Sequence, residues 1–145
     1  MVEDHRLAAR RALEELYERG DLKRVDDLVH PDFYDDEPGH PDLPRGPEAV
    51  RRVVESLHRS FGDLRFAVED EIAEGAKVVQ RVTMSGRQSG PMLGHEPTGA
   101  GFSVRHIYIW EFADDGRILR HWGARDDMRL LEQTGLRGED GGGAG

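Results

Sequence analysis

The 145-residue chain contains no cysteine. This absence excludes disulfide scaffolds, thiolate nucleophiles, cysteine-ligated zinc and iron–sulfur clusters. No apolar run approaches the roughly 20 residues of a membrane-spanning helix. The N-terminal segment 1–6 contains three charged residues, Glu3, Asp4 and Arg6, and lacks the apolar stretch of a secretory signal. We therefore expect a cytoplasmic protein without a membrane span.

Clustered positive charge is also missing. The chain has 20 basic and 29 acidic side chains, for a net charge of −9, so nucleic acid is not expected as a partner. None of the seven histidines forms an HxxxH or HxH pair, and the glycines of 86–101 do not have the order of a nucleotide-binding loop. The sequence thus predicts neither a metal site nor a nucleotide cofactor.

Apolar periodicity predicts helices first and antiparallel strands afterwards, an α+β layout in a single domain over residues 1–136. Residues 137–145 are predicted to be a flexible glycine-rich tail. Residues 31–46 are predicted to be a loop that forms a pocket wall, and 86–101 an irregular, turn-rich segment. The helices are expected over 3–19, from 21 to near 30, over 47–61 and over 127–134, and the strands from 64 to a turn at 74–76, over 78–84, 102–112 and 117–125.

Asp115-Gly116 predicts a two-residue hairpin loop in which Asp114 faces Arg117 and paired residue numbers sum to 231. This register places Glu111 opposite Arg120 and Arg105 opposite Asp126, so opposite charges meet at both positions. One face of the hairpin then carries Ile107, Ile109, Ile118, Trp122 and Ala124, with Arg105 and Asp126 at its end. The other face carries His106, Tyr108, Trp110, Phe112, Leu119, His121 and Arg125. Both are apolar enough that we expect one to meet the helices and the other a second subunit.

Asp126 is the most informative titratable residue, because it shares a face with Trp122 at the end of a strand. A desolvated carboxylate there has the raised pKa of a base toward a carbon acid. The alternative is that Asp126 caps the last helix or pairs with Arg105. His106 and His121 are interpreted as hydrogen-bonded sheet histidines, and His58 either reaches a pocket or is structural.

The order of elements and several segments together resemble the SnoaL-like polyketide cyclases of the NTF2-like superfamily, over residues 7–136. The segments are ERGDL (18–22), GPEAV (46–50), IAEGAKVV (72–79), GHEPTG (94–99), DGRI (115–118), and His121-Trp122 followed by Asp126 and LLEQTG (130–135). The resemblance implies a cone-shaped α+β barrel, with helices on a curved antiparallel sheet around an apolar pocket. Where many relatives have Gly-Thr-His-x-Gly, this chain has Gln88 in place of the histidine.

In such cyclases an aspartate removes a proton from a polyketide ester, and the enolate closes a ring by an intramolecular aldol reaction without a cofactor. The resemblance assigns that role to Asp126 and implies that Gln88 or His106 donates a hydrogen bond to the oxyanion. Trp122 would form a pocket wall and Arg105 would tune Asp126. The other substrate-binding positions that we expect are Phe33, Tyr34, His58, Ile107 and Ile109.

Three functions stay open on the sequence. The first is cyclisation of a hydrophobic, polyketide-like molecule. The second is a hydroxylase component or isomerase that uses the same pocket, and the third is a non-catalytic small-molecule binder in which Asp126 is only a helix cap. The chain is expected to form a homodimer or homotetramer.

Overall fold

The computed structural model describes residues 2–36 and 42–136, so the predicted tail and the middle of the predicted 31–46 loop lie outside the described residues. Four helical regions lie close to the expected ones. They are α1 (Val2–Arg11), which continues as a π-helix (Ala12–Glu18); a 3₁₀ turn (Leu22–Arg24) that leads into α2 (Val25–Leu28); α3 (Pro47–Ser60); and α4 (Asp127–Thr134). Within the described residues no helix is both long and apolar enough to cross a membrane.

Five strands form one open sheet in the order β1-β5-β4-β3-β2, so the α+β fold class is confirmed while the barrel is not closed. All neighbours pair antiparallel except β1 and β5, which are parallel. The strands are β1 (Val29–Asp35), β2 (Phe61–Glu74), β3 (Lys77–Gln88), β4 (Gly101–Phe112) and β5 (Ile118–Arg125).

The prediction of a loop over 31–46 is wrong for its first residues, because β1 extends to Asp35. Pro31 and Asp32 are poor strand residues, and the register between β1 and β5 is irregular between Val29 and Tyr34. The strand is therefore held by pairing with β5, and its own sequence pattern does not predict it. Asp36 N donates to the backbone oxygen of His121 at 2.9 Å, which aligns the end of β1 with the middle of β5.

The hairpin register is confirmed over most of its length. Glu111 pairs with Arg120, and Ile109 pairs with Trp122. The two-residue loop is wrong, because Phe112 pairs with Ile118 across a bulge and Ala113 N donates to Arg117 O at 2.8 Å. The extra residue lies near the tip of the hairpin, so the faces from Arg120 to Arg125 remain as predicted. The prediction for Ile118 is wrong, because the bulge moves it from the Ile107 face to the inner face, where it pairs with Phe112 and is 2% exposed in the core.

The two faces of the sheet have different environments. On β4 burial alternates strictly from Phe102 to Tyr108, with the even-numbered residues buried and the odd-numbered ones exposed. The inner face meets the helices and carries His106, Tyr108, Trp110, Phe112 and His121. The outer face carries Ile107, which is 47% exposed, and the half-buried Ile109 and Trp122.

Candidate active site

A cavity of about 610 Å³ lies between the inner face of the sheet and the helices. Its volume is within the roughly 300–1,000 Å³ of small-molecule sites. The first helix, α3, α4 and all five strands contribute to its wall. Most lining side chains are apolar: Leu13, Val53, Leu57, Phe61, Phe66, Met84, Met92, Leu93, Trp110, Leu130 and Leu131.

Asp35 and His121 form an acid–imidazole pair on the wall of this cavity. Their Cα atoms are partners across the parallel β1–β5 ladder, and Asp35 Oδ1 lies 3.5 Å from His121 Nδ1. The side chains are only 9% and 5% exposed, respectively. This contact has an ion-pair distance, and among the described residues His121 Nδ1 makes no hydrogen bond. The nearby negative charge favours a proton on Nδ1, and Nε2 then has a lone pair that can accept a proton. The pair therefore has the composition of a general base.

A buried polar chain fixes the aromatic ring beside His121. The indole of Trp110 lies 4.5 Å from the imidazole of His121, centroid to centroid, and its Nε1 donates to Gln80 Oε1 at 2.8 Å. Gln80 Nε2 in turn donates to Glu71 Oε2 at 2.9 Å, and Arg10 donates to both oxygens of Glu71. This chain satisfies the polar atoms of the fully buried Gln80 and holds Trp110 in one orientation.

His106 and Tyr108 form a second polar pair in the cavity, with His106 Nδ1 and the Tyr108 hydroxyl 2.7 Å apart. Burial, followed by the positive charge of Arg125, lowers the pKa of His106 to about 4. Burial also raises the pKa of Tyr108 above its ordinary value. Both groups are therefore neutral at pH 7 and act there as hydrogen-bonding groups.

Two charged residues near the end of β5 also reach the cavity, Arg125 on the strand and Asp127 at the start of α4. Tyr17 lines the cavity from the first helix, and its pKa is raised by burial and then by the charge of Asp35. The cavity thus combines apolar walls with a few convergent polar groups, the usual composition of an enzyme pocket. Among residues 2–36 and 42–136, no group of three or more His, Asp or Glu side chains could hold a metal ion.

The model of the SnoaL-like polyketide cyclase family matches residues 7–134. The chain belongs to the SnoaL-like polyketide cyclase family. It is 34% identical over 132 residues to aklanonic acid methyl ester cyclase AcmA of Streptomyces galilaeus, covering 89% of this chain and 90% of that protein. It is 27% identical over 120 residues to nogalonic acid methyl ester cyclase of Streptomyces nogalater, covering 82% and 89%. The solved structure of TsrD from Streptomyces laurentii is 33% identical, with a TM-score of 0.78 over 90% of this chain and 97% of that one.

The family match contains every cavity residue, from Leu13 to Leu131. Of the residues that the sequence assigns to the site of this SnoaL-like cyclase, His106 lines the cavity. Sequence reasoning missed the other polar residues that line the pocket, which are Tyr17, Asp35, Ser56, Ser60, Tyr108, His121, Arg125 and Asp127. The alternation of β4 and β5 contained one signal for them, since it places His121 and Arg125 on the face of His106.

Gln88 is buried, but its amide is occupied by the loop that follows β3. Its Nε2 donates to Gly90 O at 2.8 Å and to Glu96 O at 3.3 Å, and its Oε1 accepts from the backbone N and hydroxyl of Thr98 at 2.7 and 2.8 Å. The side chain therefore holds the 89–99 loop in place. That loop contributes Met92 and Leu93 to the cavity wall, so Gln88 acts on the site through them.

Asp126 is the N-cap of α4. Its Oδ1 accepts from Arg129 N at 3.1 Å, and its Oδ2 lies 3.5 Å from Arg129 Nε. It lines a second groove of about 360 Å³ together with Arg81, Arg105 and Ile107. This groove shares His106 and Arg125 with the lining of the main cavity, whereas Asp126 lines only the groove. Because the strand alternation turns Asp126 outward, the neighbouring Asp127 is the carboxylate of this segment that borders the main cavity. Asp126 thus adopts the geometry of the capping alternative.

The remaining predicted substrate-binding residues lie outside the lining of the main cavity. Trp122 and Ile109 pair on the outer face, where Lys77 and Arg120 lie over the Trp122 ring at 5.2 and 4.7 Å. Phe33 is part of the core, Tyr34 is exposed under the guanidinium of Arg45, and exposed His58 bonds to Tyr17 O at 2.8 Å. Arg105 and Ile107 are exposed on β4. Trp122, Ile109, Ile107 and Arg105 lie outside the cavity because their face of the sheet points away from the helices.

Proposed function

We propose that this protein catalyses the cofactor-independent, intramolecular aldol closure of a ring in a polyketide ester. The observation that carries the proposal is the Asp35–His121 pair, 3.5 Å apart and nearly buried in the wall of an apolar cavity. Family membership and the two methyl ester cyclases among its relatives support the substrate class.

The proposed reaction begins at a C–H bond that lies between two carbonyl groups. His121 Nε2 takes the proton, and the electron pair of that bond becomes an enolate. The enolate carbon then attacks a carbonyl carbon of the same molecule, and the carbonyl oxygen receives the electron pair of its broken π bond. The imidazolium of His121 returns the proton to that oxygen, so atoms and electrons balance without a further reactant.

Asp35 contributes by stabilising the imidazolium that forms after proton transfer. A carboxylate in a largely desolvated position interacts more strongly with a nearby cation than it would in water. Trp110 contributes by holding the imidazole plane, since the two rings are in contact at 4.5 Å. An aromatic polyketide would find its planar surface matched by the aromatic residues Trp110, Tyr108, Phe61 and Phe66 of the wall.

The test is turnover of aklanonic acid methyl ester and nogalonic acid methyl ester by the purified protein, followed by chromatography. We expect Asp35→Asn and His121→Gln to reduce kcat by about 100- to 10,000-fold, the usual effect of losing a general base. Asp32→Asn is the matched control, because Asp32 lies on the same strand and is exposed. The variant should retain the wild-type rate.

The same assay compares this base with the one that the sequence predicts. If Asp126→Asn loses turnover while Asp35→Asn and His121→Gln do not, the Asp35–His121 assignment fails and Asp126 becomes the base. An anaerobic repeat separates cyclisation from hydroxylation, because the aldol reaction does not use dioxygen. A product that forms only in the presence of oxygen would contradict the proposal.

A further inference from the structure

The inner face of β5 carries an arginine that folds back along its own strand. His121, Gly123 and Arg125 alternate on this face. Arg125 Nη1 donates to Gly123 O at 3.4 Å. The guanidinium therefore lies over Gly123, on the way from Arg125 toward His121.

Because Gly123 has no side chain, the guanidinium of Arg125 can lie against the backbone of this residue. A Cβ atom at position 123 would lie 2.9 Å from Arg125 Nη2 and 3.1 Å from Arg125 Cζ. It would also lie 3.4 Å from Cε1 of His121. The space that another residue's side chain would fill on this strand is thus occupied by a cation beside the imidazole.

The charge of Arg125 acts on the other polar groups of the cavity. It is a cause of the lowered pKa of His106, and it opposes the effect of burial on Tyr108 and Tyr17. The carboxylate of Asp127 acts in the opposite direction on His106 and Tyr108. A guanidinium does not lose its proton in a protein. The titratable and charged groups that surround it in the cavity are His106 and Tyr108 on β4, His121 on β5, Asp35 on β1, Asp127 on α4 and Tyr17 on the first helix.

We propose that Arg125 binds the oxygen on which negative charge develops when His121 removes the substrate proton, and that Gly123 is required for this position. The cavity then selects planar β-dicarbonyl or phenolic compounds that can exist as oxyanions. The inference rests on the proposed function for its reaction step, whereas anion binding by Arg125 does not depend on turnover. A donor that is already in place costs little reorganisation when the charge forms, which is why such groups lower barriers strongly.

The experiment uses a chloro- or nitro-substituted naphthol whose hydroxyl titrates near neutral pH, because its anion resembles an enolate and absorbs differently from the phenol. The pH titration of the bound probe is followed by absorbance at saturating protein. We expect the wild-type cavity to lower the pKa of the bound hydroxyl by at least about one unit, which corresponds to about tenfold tighter binding of the anion.

Three variants test the two residues. Arg125→Met should abolish the shift, and Arg125→Lys should retain part of it, since an amine keeps the charge but not the planar fork. Gly123→Ala should reduce the shift as strongly as Arg125→Met, because the methyl group occupies the place of the guanidinium. Arg65→Met is the matched control, since Arg65 is exposed on β2, and it should leave the shift unchanged. Circular dichroism establishes that each variant is folded, and either Arg125→Met or Gly123→Ala, if folded, is sufficient for the test when compared with Arg65→Met.

The outcomes separate this inference from the proposed function. A wild-type cavity that binds the neutral naphthol as tightly as its anion overturns the inference, as does a full shift in Arg125→Met. If the shift depends on Arg125 but neither ester is turned over, the anion site stands and the cyclase proposal fails. If both esters are turned over through Asp35 and His121 while the probe shows no shift, the cyclase proposal stands and the role of Arg125 is rejected.

Discussion

The inner and outer faces of the sheet have similar residue types and opposite environments. Each has a tryptophan, Trp110 inside and Trp122 outside. Trp110 is 1% exposed, and its N–H bonds to buried Gln80. Trp122 is half-buried and flanked by the cations of Lys77 and Arg120. A tryptophan therefore occurs both in a packed cavity wall and on a partly solvated surface. The two cases differ in the polar group beside the ring, which is a buried amide at Trp110 and a pair of cations at Trp122.

The polar atoms show the same difference between the faces. Inside, several polar side chains bond to one another, as in the His106–Tyr108 pair and the Trp110–Gln80–Glu71 chain. Among the described residues, His106 Nε2 and His121 Nδ1 are buried there without a hydrogen bond. Outside, the charged groups belong to exposed residues such as Arg81 and Asp70, whose side chains lie 4.0 Å apart. Buried polar groups that bond only within the protein are costly to assemble. The concentration of buried polar groups on the inner face therefore indicates a functional pocket more strongly than the number of apolar residues on that face does.

The largest expected effect comes from truncating the two tryptophans in parallel. Trp110→Ala should lower the free energy of unfolding by about 3–5 kcal/mol, because it opens a cavity and leaves Gln80 without its donor. Trp122→Ala should cost only about 1 kcal/mol, from partial burial and two exposed cation–π contacts. Urea unfolding followed by circular dichroism measures both. Equal losses would show that the outer face is as tightly packed as the inner one.

Most helices and four of the five strands follow from sequence periodicity. The hairpin register follows from the position of Asp115-Gly116, and the opposite charges that this register brings together support it. The choice of inner face did not follow, because the Ile107–Ile109 face is the more apolar one by residue type. The helices cover the other face, where the polar tips of His106 and Trp110 find partners that no local pattern reveals. Asp35 could not be found for a related reason. Its strand contains Pro31 and pairs in parallel with β5, a long-range contact.

The second prediction concerns what covers the outer face. An apolar row runs across four strands, from Ile72, which is 65% exposed, through Val79 and Ile109 to Trp122. The sequence predicts a homodimer or homotetramer, and this row is where we expect the second copy. Ile109→Lys should weaken association by about 3 kcal/mol, because the interface would bury an unpaired charge.

Light scattering over a dilution series measures this change. Leu7→Lys is the control, since it makes the same chemical change at an exposed position of α1, and it should leave the molar mass unaltered. A wild-type chain that is monomeric at micromolar concentration would contradict the expected assembly. The inner-face variants, by comparison, should change turnover and leave the molar mass as it is.

The smallest expected effect is the pH dependence that His106 gives to the inner face. Burial, followed by the charge of Arg125, lowers its pKa from 6.5 to about 4. The unfolded chain therefore binds a proton more readily than the folded one, and stability is lost as the pH falls from about 6.5 toward 4. Between pH 7.5 and pH 5 this single group should remove about 2 kcal/mol of unfolding free energy. His106→Gln should flatten that part of the profile in urea unfolding, while His95→Gln, an exposed histidine, should leave it unchanged. If the dependence of unfolding free energy on pH is the same in His106→Gln as in the wild type, His106 is not held neutral by its surroundings. The inner face would then not differ from the outer face in the way that its buried polar groups indicate.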